Sequence, residues 1–384
     1  MNENVVVVGG GYAGVMAANR LTRRADVTVT LVNPRPSFVA RPRLHQVAAG
    51  TRDAVVEYRE VLAGRVRPLV GEVARIDAAG RAVELADGGA LRYDRLVYAV
   101  GSGAAEPRVP GAARFAHPLA TLEDARRLRS VLDAAPAAPV TVVGGGPTGV
   151  EAATELAGRG RRVTLVLGGE LVPFLHPSAR RSVLRRFAAL GITVLDGRVA
   201  EVAAGAVRLA DGRELPGGVT VWTAGFGVPD LAARSGLSTD AAGRLLTDET
   251  LTSVDDDRIV AAGDAAAPSG VPFRMSAYAA GCLGAHAADT VLARLAGERP
   301  APVDLSLAAM CLSLGPGAGV FQLARKDEVA LRVHIGGRAG AKVKEMTHRA
   351  GLGHLVKEAA APGSHRWIGG DRARRPLLAE QVTA

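Results

Sequence analysis

The strongest constraint in the chain is a local pattern that occurs twice. Near the N-terminus a short apolar strand, Val5 to Val8, runs into Gly9-Gly10-Gly11-Tyr12-Ala13-Gly14, then a helical stretch to about Arg24 and a strand from Val27 to Val32. In mid-chain Val140 to Val143 run into Gly144-Gly145-Gly146-Pro147-Thr148-Gly149, then a helix to about Arg159 and a strand from Val163 to Leu167. Each is strand, glycine-rich turn, helix, strand: the βαβ unit that holds a dinucleotide. The first glycine (Gly9, Gly144) permits the tight turn, and the second (Gly11, Gly146) lets backbone approach a pyrophosphate. The third (Gly14, Gly149) allows close helix–strand packing. The helix N-terminus then offers unpaired N–H groups and the positive end of its dipole to the phosphates. In a chain with 47 glycines one match would say little, but two in the same context specify two sites.

The segments after each unit also repeat. Arg65 to Tyr98 read as short strands with turns at Asp77-Ala78-Ala79-Gly80 and Asp87-Gly88-Gly89; strands near Val194 to Val202 and a turn at Asp211-Gly212 follow the second copy. An Ala- and Pro-rich linker, Ala134 to Pro139, precedes that copy. Leu305 to Ala324 carry no charge over 20 residues, but Gly315, Pro316, Gly317 and Gly319 would interrupt a helix. Strand, turn, strand is the expectation there. A strand from Val329 to Ile335 and a basic stretch, Lys342 to Lys357, complete the tail.

Composition narrows the functional classes. The formal charge of +9 is dispersed over arginine pairs, with no basic stripe or nucleic-acid module, so anionic cofactors or an anionic surface explain it more simply. Two cysteines, Cys282 and Cys311, supply neither a disulfide framework nor a redox dithiol and are expected as packed small hydrophobes. No metal site is expected. The start, MNENVVVVGGG, lacks the charged region and cleavable apolar core of a signal peptide. A cytoplasmic location follows, with peripheral contact at the inner face of the plasma membrane left open.

Two further strand ends have the form of ligand sites in open α/β sheets. One is Leu96-Val97-Tyr98-Ala99-Val100-Gly101-Ser102; the other is Arg258-Ile259-Val260-Ala261-Ala262-Gly263-Asp264, where Asp264 reads equally as a site residue and as a turn former. The residue after each second strand should report on the adenosine ribose. It is Asn33 in the first copy; the second has Leu167-Gly168-Gly169-Glu170, with no acid in register. NADH versus NADPH stays open.

With GGGYAG, LVYAVGS, GGGPTGVE, VTVWTAGF and RIVAAGDAA in this order, the chain resembles the FAD/NAD(P)-dependent pyridine nucleotide oxidoreductases, type II NADH dehydrogenase-like branch. The resemblance implies an α/β fold of two Rossmann-like domains, the NAD(P) domain inserted in the FAD domain. Residues 1–112 and 248–303 would bind FAD, 113–247 would bind NADH or NADPH, and 304–384 would form a small α+β region. It implies that Asp264 holds the ribityl chain, that Ala99 and Gly101 lie against FAD, and that Gly225 lies near the nicotinamide. The helix opening at Ser276 and Ala277 would start near the flavin pyrimidine edge. Arg41 and Arg43 would pass close to FAD, with His45 a candidate proton donor beside them. Glu151 would stand at the nicotinamide–flavin junction; the plain alternative is a solvated or helix-paired carboxylate. The absence of Cys-x4-Cys after the first unit excludes the disulfide-reductase branch, and Val100 replaces the common threonine. The tail, ending Arg374-Arg375-Pro376-Leu377-Leu378, is shorter than the amphipathic segment of the membrane dehydrogenases. The implied activity is hydride transfer from NAD(P)H to FAD and electron transfer to a quinone or other small acceptor, with a homodimer left open. A ferredoxin-type reductase, a secondary-metabolism flavin oxidase and a nicotinamide-sensing binding protein are the alternatives.

Overall fold

The computed structural model describes residues 2–216, 218–372, 374 and 376–378; Arg375 of the tail lies outside them. Two five-stranded parallel sheets carry the fold. The first has the order Ile259–Ala261, Arg95–Tyr98, Glu3–Val8, Val27–Asn33, Val66–Val70. The second has Ala116–Pro118, Val219–Trp222, Val140–Val143, Val163–Leu167, Thr193–Asp196. The central runs, Val5 to Val8 and Val140 to Val143, are buried at every residue. Continuous β-branched runs of this kind suit strands covered on both faces.

The internal repeat goes deeper than the glycine turns. Each unit carries a three-stranded antiparallel ribbon: Val73–Asp77, Ala82–Leu85 and Ala90–Arg92 in one, Val199–Ala203, Ala206–Leu209 and Glu214–Pro216 in the other. Each ribbon leads back into the strand beside the glycine-turn strand. The edge strand of the first sheet, Ile259–Ala261, arrives only after the whole second sheet has been traversed. That register brings Asp264 to the same sheet end as Gly9.

The uncharged tail segment is strand, turn, strand: Ala309–Ser313 and Gly319–Ala324 pair antiparallel, with Gly315 and Gly317 at φ +77° and +70° between them. Ala330–Gly336 adds a third strand, and the basic stretch lies in the 24-residue helix Gly337–Ala360. Among the described residues no helix is long and apolar enough to cross a membrane.

This C-terminal region joins the two nucleotide-binding units. Its 314–318 turn rests on helix Pro147–Gly158, where a Cβ on Gly315 would fall 2.4 Å from the Thr154 carbonyl oxygen. Its long helix packs on helix Tyr12–Leu21, where the buried Arg20 donates from Nε to Glu358 (2.8 Å), from Nη1 to Asp289 (2.9 Å) and from Nη2 to the His365 carbonyl (2.8 Å). Cys282 is buried in helix Ala277–Leu295 as expected. Cys311 departs from expectation: it is half-buried, with its thiol 3.2 Å from Thr347 Oγ1.

Candidate active site

The two glycine turns are nearly the same object. Gly9 and Gly144 have φ of +106° and +123°, a region closed to side chains, and each lies against the end of the neighbouring strand. A Cβ on Gly9 would meet the Ala99 carbonyl oxygen at 2.3 Å; one on Gly144 would meet Thr223 Oγ1 at 2.7 Å. Gly14 and Gly149 press against the carbonyls of Gly9 and Gly144, which a Cβ would approach to 1.8 and 1.9 Å. Gly11 and Gly146 differ: each is the N-cap of its helix, and a Cβ there would meet nothing within 4 Å. Open space in front of a helix N-terminus is what a pyrophosphate requires, so both turns fit a dinucleotide.

The segments after each second strand diverge. Asn33 is engaged within its own turn: Oδ1 accepts the Gly10 N–H (3.0 Å) and Nδ2 donates to the Arg35 carbonyl (2.9 Å). Tyr58, unmarked by any motif, donates its hydroxyl to the Gly10 carbonyl at 3.1 Å. In the second unit Leu167 closes on Gly145, and the following segment returns to the turn through the Val172 N–H donating to the Gly145 carbonyl (2.9 Å). That return places Glu170 beside the turn, exposed and ion-paired with Arg180. An arginine invisible in the local motif therefore stands at this site.

Around the first turn three separate segments converge. Asp264 sits in the 3-10 turn Gly263–Ala265, and its Oδ2 accepts the Ser102 hydroxyl at 2.7 Å. Arg41 Nη1 donates to Ser102 Oγ at 3.1 Å and lies 3.8 Å from Asp264 Oδ2. Gly101, at φ +70°, leaves 3.8 Å between its Cβ position and Arg41 Nη1. Asp264 thus answers side chains of the site rather than capping a helix. Gly263 holds it against the first helix, its Cβ position 3.0 Å from Ala13. Helix Ala277–Leu295 opens nearby with Ser276 as N-cap, accepting the Ala279 N–H at 3.0 Å, and no acid in its first turn offsets the positive end. Gly225, at φ +88°, closes the corresponding end of the second sheet beside Phe226. Arg43 does not join this group: its guanidinium pairs with Glu345 of the long helix at 3.0 Å, because the 41–43 turn points it at that helix.

Glu151 is neither solvated nor paired within its own helix. It is buried, and its carboxylate receives Lys344 Nζ at 2.8 Å and the Ser313 N–H at 2.9 Å, with His45 Nδ1 3.6 Å away. Burial works against its charged form, but Lys344, His45 and the hydrogen bonds outweigh it and hold the carboxyl below its usual range. Burial holds the His45 imidazole neutral, with Glu151 pulling the other way, and its Nε2 has no hydrogen-bond partner among the described residues. Lys344 and Ser313 lie outside every sequence motif. The signal available for Lys344 was helical spacing, because Gly340, Lys344, Leu355 and Glu358 form the buried stripe of their helix. A cavity of ≈ 800 Å³ near Arg23, Asp289 and Trp367, at the far end of helix Ala277–Leu295, contains none of these groups.

Two dinucleotide turns, the second opening the helix that carries the buried Glu151, are the pattern of a two-nucleotide oxidoreductase. Residues 3–282 match the pyridine nucleotide-disulphide oxidoreductase family, and the chain belongs to it. It is 33% identical over 296 residues to a NADH dehydrogenase-like protein of Mycobacterium tuberculosis, spanning 68% of this chain and 72% of that one. It is 30% identical over 346 residues to a type II NADH:quinone oxidoreductase of the same organism, spanning 78% and 74%. Among solved structures, the sulfide:quinone oxidoreductase of Aquifex aeolicus shares the fold, with a TM-score of 0.76 over 94% of this chain and 93% of that one at 21% identity.

Proposed function

We propose that the chain is an FAD-dependent NAD(P)H dehydrogenase whose electron acceptor is a quinone. Residues 1–112 with 248–303 make the FAD domain, 113–247 the NAD(P) domain and 304–384 the C-terminal region. Gly9, Gly11 and Gly14 would cradle the FAD pyrophosphate, with Asn33 at the ribose end of that turn. Ala99, Gly101, Arg41, Asp264, Ser276 and Ala277 would line the remainder, while Gly144, Gly146, Gly149 and Gly225 would serve the nicotinamide nucleotide. Bound FAD would supply the two-electron chemistry between the nicotinamide and the acceptor.

The observation that carries the acceptor class is the Glu151–Lys344 pair with His45 beside it. A quinone becomes a quinol with two electrons and two protons; NAD(P)H supplies both electrons and one proton as hydride. The second proton must come from solvent through the protein. A one-electron protein carrier needs none. Buried titratable groups at the meeting of the first unit, the second unit and the C-terminal helix are the machinery for the first case. The likeness to a type II NADH:quinone oxidoreductase agrees with this reading. Peripheral membrane contact accords with it as well: exposed Val333, Ile335 and Met346 neighbour exposed Arg338 and Lys342 on the adjoining strand and helix. The test is anaerobic reduction of the purified yellow protein by NADH and by NADPH, then an acceptor screen with and without lipid. A flavin that neither nucleotide bleaches sinks the proposal.

A further inference from the structure

The proton just described needs a way in, and one wall of the Glu151 cluster borders a cavity of ≈ 520 Å³. The cavity lies between the segment after His45, the end of helix Pro147–Gly158, the 313–318 turn and the long helix; Thr51, Glu155, Ser313, Lys344, Glu345 and His348 are among its lining residues. Arg52 and Arg159, both exposed, stand on the same wall and mark its opening to solvent. Lys344 is common to the cavity and to the Glu151 ion pair. His348 follows Lys344 by one helical turn and therefore shares its face.

We propose that this cavity is the proton entrance of the enzyme and that His348 with Lys344 passes protons from it to Glu151 and His45. The proposal rests on the functional reading above and deepens it. Three features of the geometry carry it. Both ring nitrogens of His348 lack hydrogen-bond partners among the described residues, and so does Nε2 of His45, which is 3% exposed. Buried polar atoms are ordinarily satisfied, so two open imidazoles near one ion pair suit groups that take and give a proton in turn. The order in space is also directional. His348 and Lys344 line the cavity, Glu151 bonds Lys344, and His45 follows Arg41, whose guanidinium reaches Ser102 and Asp264 at the flavin end.

The charged and titratable groups facing His348 are Lys344 from its own helix, Arg43 and His45 from the 41–48 segment, and Glu151 from helix Pro147–Gly158. Burial, reinforced by Lys344 and Arg43, lowers its pKa to about 3, so the ring is neutral and has one free acceptor nitrogen at working pH. Each turnover balances as NAD(P)H + H⁺ + quinone → NAD(P)⁺ + quinol, and the relay carries the single solvent proton.

The test is steady-state quinone reduction by the flavin-loaded holoenzyme for wild type, His348→Gln and Ala341→Trp. Ala341 lines the cavity, and an indole there plugs it with His348 intact. His348→Gln is expected to slow quinone reduction on the order of a hundredfold and to regain rate when imidazole is added. Ala341→Trp is expected to slow it without imidazole rescue, and it carries the test should His348→Gln fail to load flavin. A loss in His348→Gln that imidazole does not restore would mark a structural role and overturn the relay. A wild-type rate in both variants would overturn it too, leaving the quinone reading intact. A wild-type enzyme reduced by NAD(P)H yet inert to every quinone would overturn the functional reading and the relay together.

Discussion

Glu358 offers the sharpest test of how the C-terminal helix is held. Its carboxylate is fully buried and accepts from Arg20 Nε (2.8 Å), the Gly363 N–H (2.5 Å) and the His365 N–H (2.6 Å). Glu358→Ala leaves a guanidinium that is 1% exposed with Asp289 and one carbonyl as its hydrogen-bond partners among the described residues, and orphans two backbone N–H groups. Removing one partner of a buried ion pair costs about 3–5 kcal/mol. Unfolding entropy near the midpoint is about 2.1 cal/mol/K per residue, so 384 residues give about 0.8 kcal/mol/K. The substitution should therefore lower Tm by about 5 °C when the holoenzyme is melted in a calorimeter. Glu358→Gln keeps one acceptor oxygen and should lie between the two. A Glu358→Ala midpoint within about 1 °C of wild type would refute the view that this pair secures the helix.

Four other outcomes are expected. Gly11→Ala should fold normally and lose flavin, because its methyl enters only the open cradle; Gly14→Ala should lose both, because its Cβ falls 1.8 Å from the Gly9 carbonyl oxygen. Absorbance at the flavin band together with circular dichroism separates the two cases, and equal flavin loading in Gly11→Ala contradicts the assignment. Glu170→Ala frees Arg180 beside the second turn and should shift the NADPH-to-NADH preference in kcat/KM toward NADPH by about tenfold, or about 1.4 kcal/mol; an unchanged ratio argues against a ribose-end role. The Glu151 carboxyl is lowered on folding and the Lys344 ammonium raised. Their stabilisation is then full between the unfolded values of about 4.3 and 10.4, fading as pH falls through the folded Glu151 value or rises through the folded Lys344 value. Urea midpoints of Glu151→Gln should vary less below pH 5 than those of wild type, and parallel curves would contradict the pairing. Finally, burial pushes the Cys282 thiol up to about 12, so iodoacetamide should label half-buried Cys311 alone in the native protein, as read by mass spectrometry; native labelling of Cys282 would be the contrary result.

Much of the site was legible because it is local. Gly9-x-Gly11-x-x-Gly14 and its copy specify a turn, an approach and a packing contact within six residues, and the backbone angles and close contacts meet each requirement. Asp264 could be placed only through resemblance, since its partners Ser102 and Arg41 lie 162 and more than 200 positions away in the chain. Arg43 and Asn33 were legible as polar groups near a ligand, but their partners, Glu345 and the Gly10 N–H, were not. Lys344, Ser313 and His348 escaped for the same reason: a pair such as Glu151–Lys344 is a property of packing between distant segments. The stretch from Lys342 to Lys357 was legible only as basic, and the helix phase reveals that one of its lysines points inward.

The edge strand Ile259–Ala261 has a consequence for biosynthesis. The second sheet is built entirely from residues between Ala116 and Trp222, so it can close once that stretch has left the ribosome. The first sheet begins at Glu3 yet lacks its edge, and Asp264 with it, until some 40 further residues have been made. The domain that starts the chain is therefore the later one to be completed. On the proposed assignment, which draws on both Gly9 and Asp264 for FAD, flavin would be captured after the second unit has formed, and nascent chains halted before Ile259 should hold a folded second unit but no flavin.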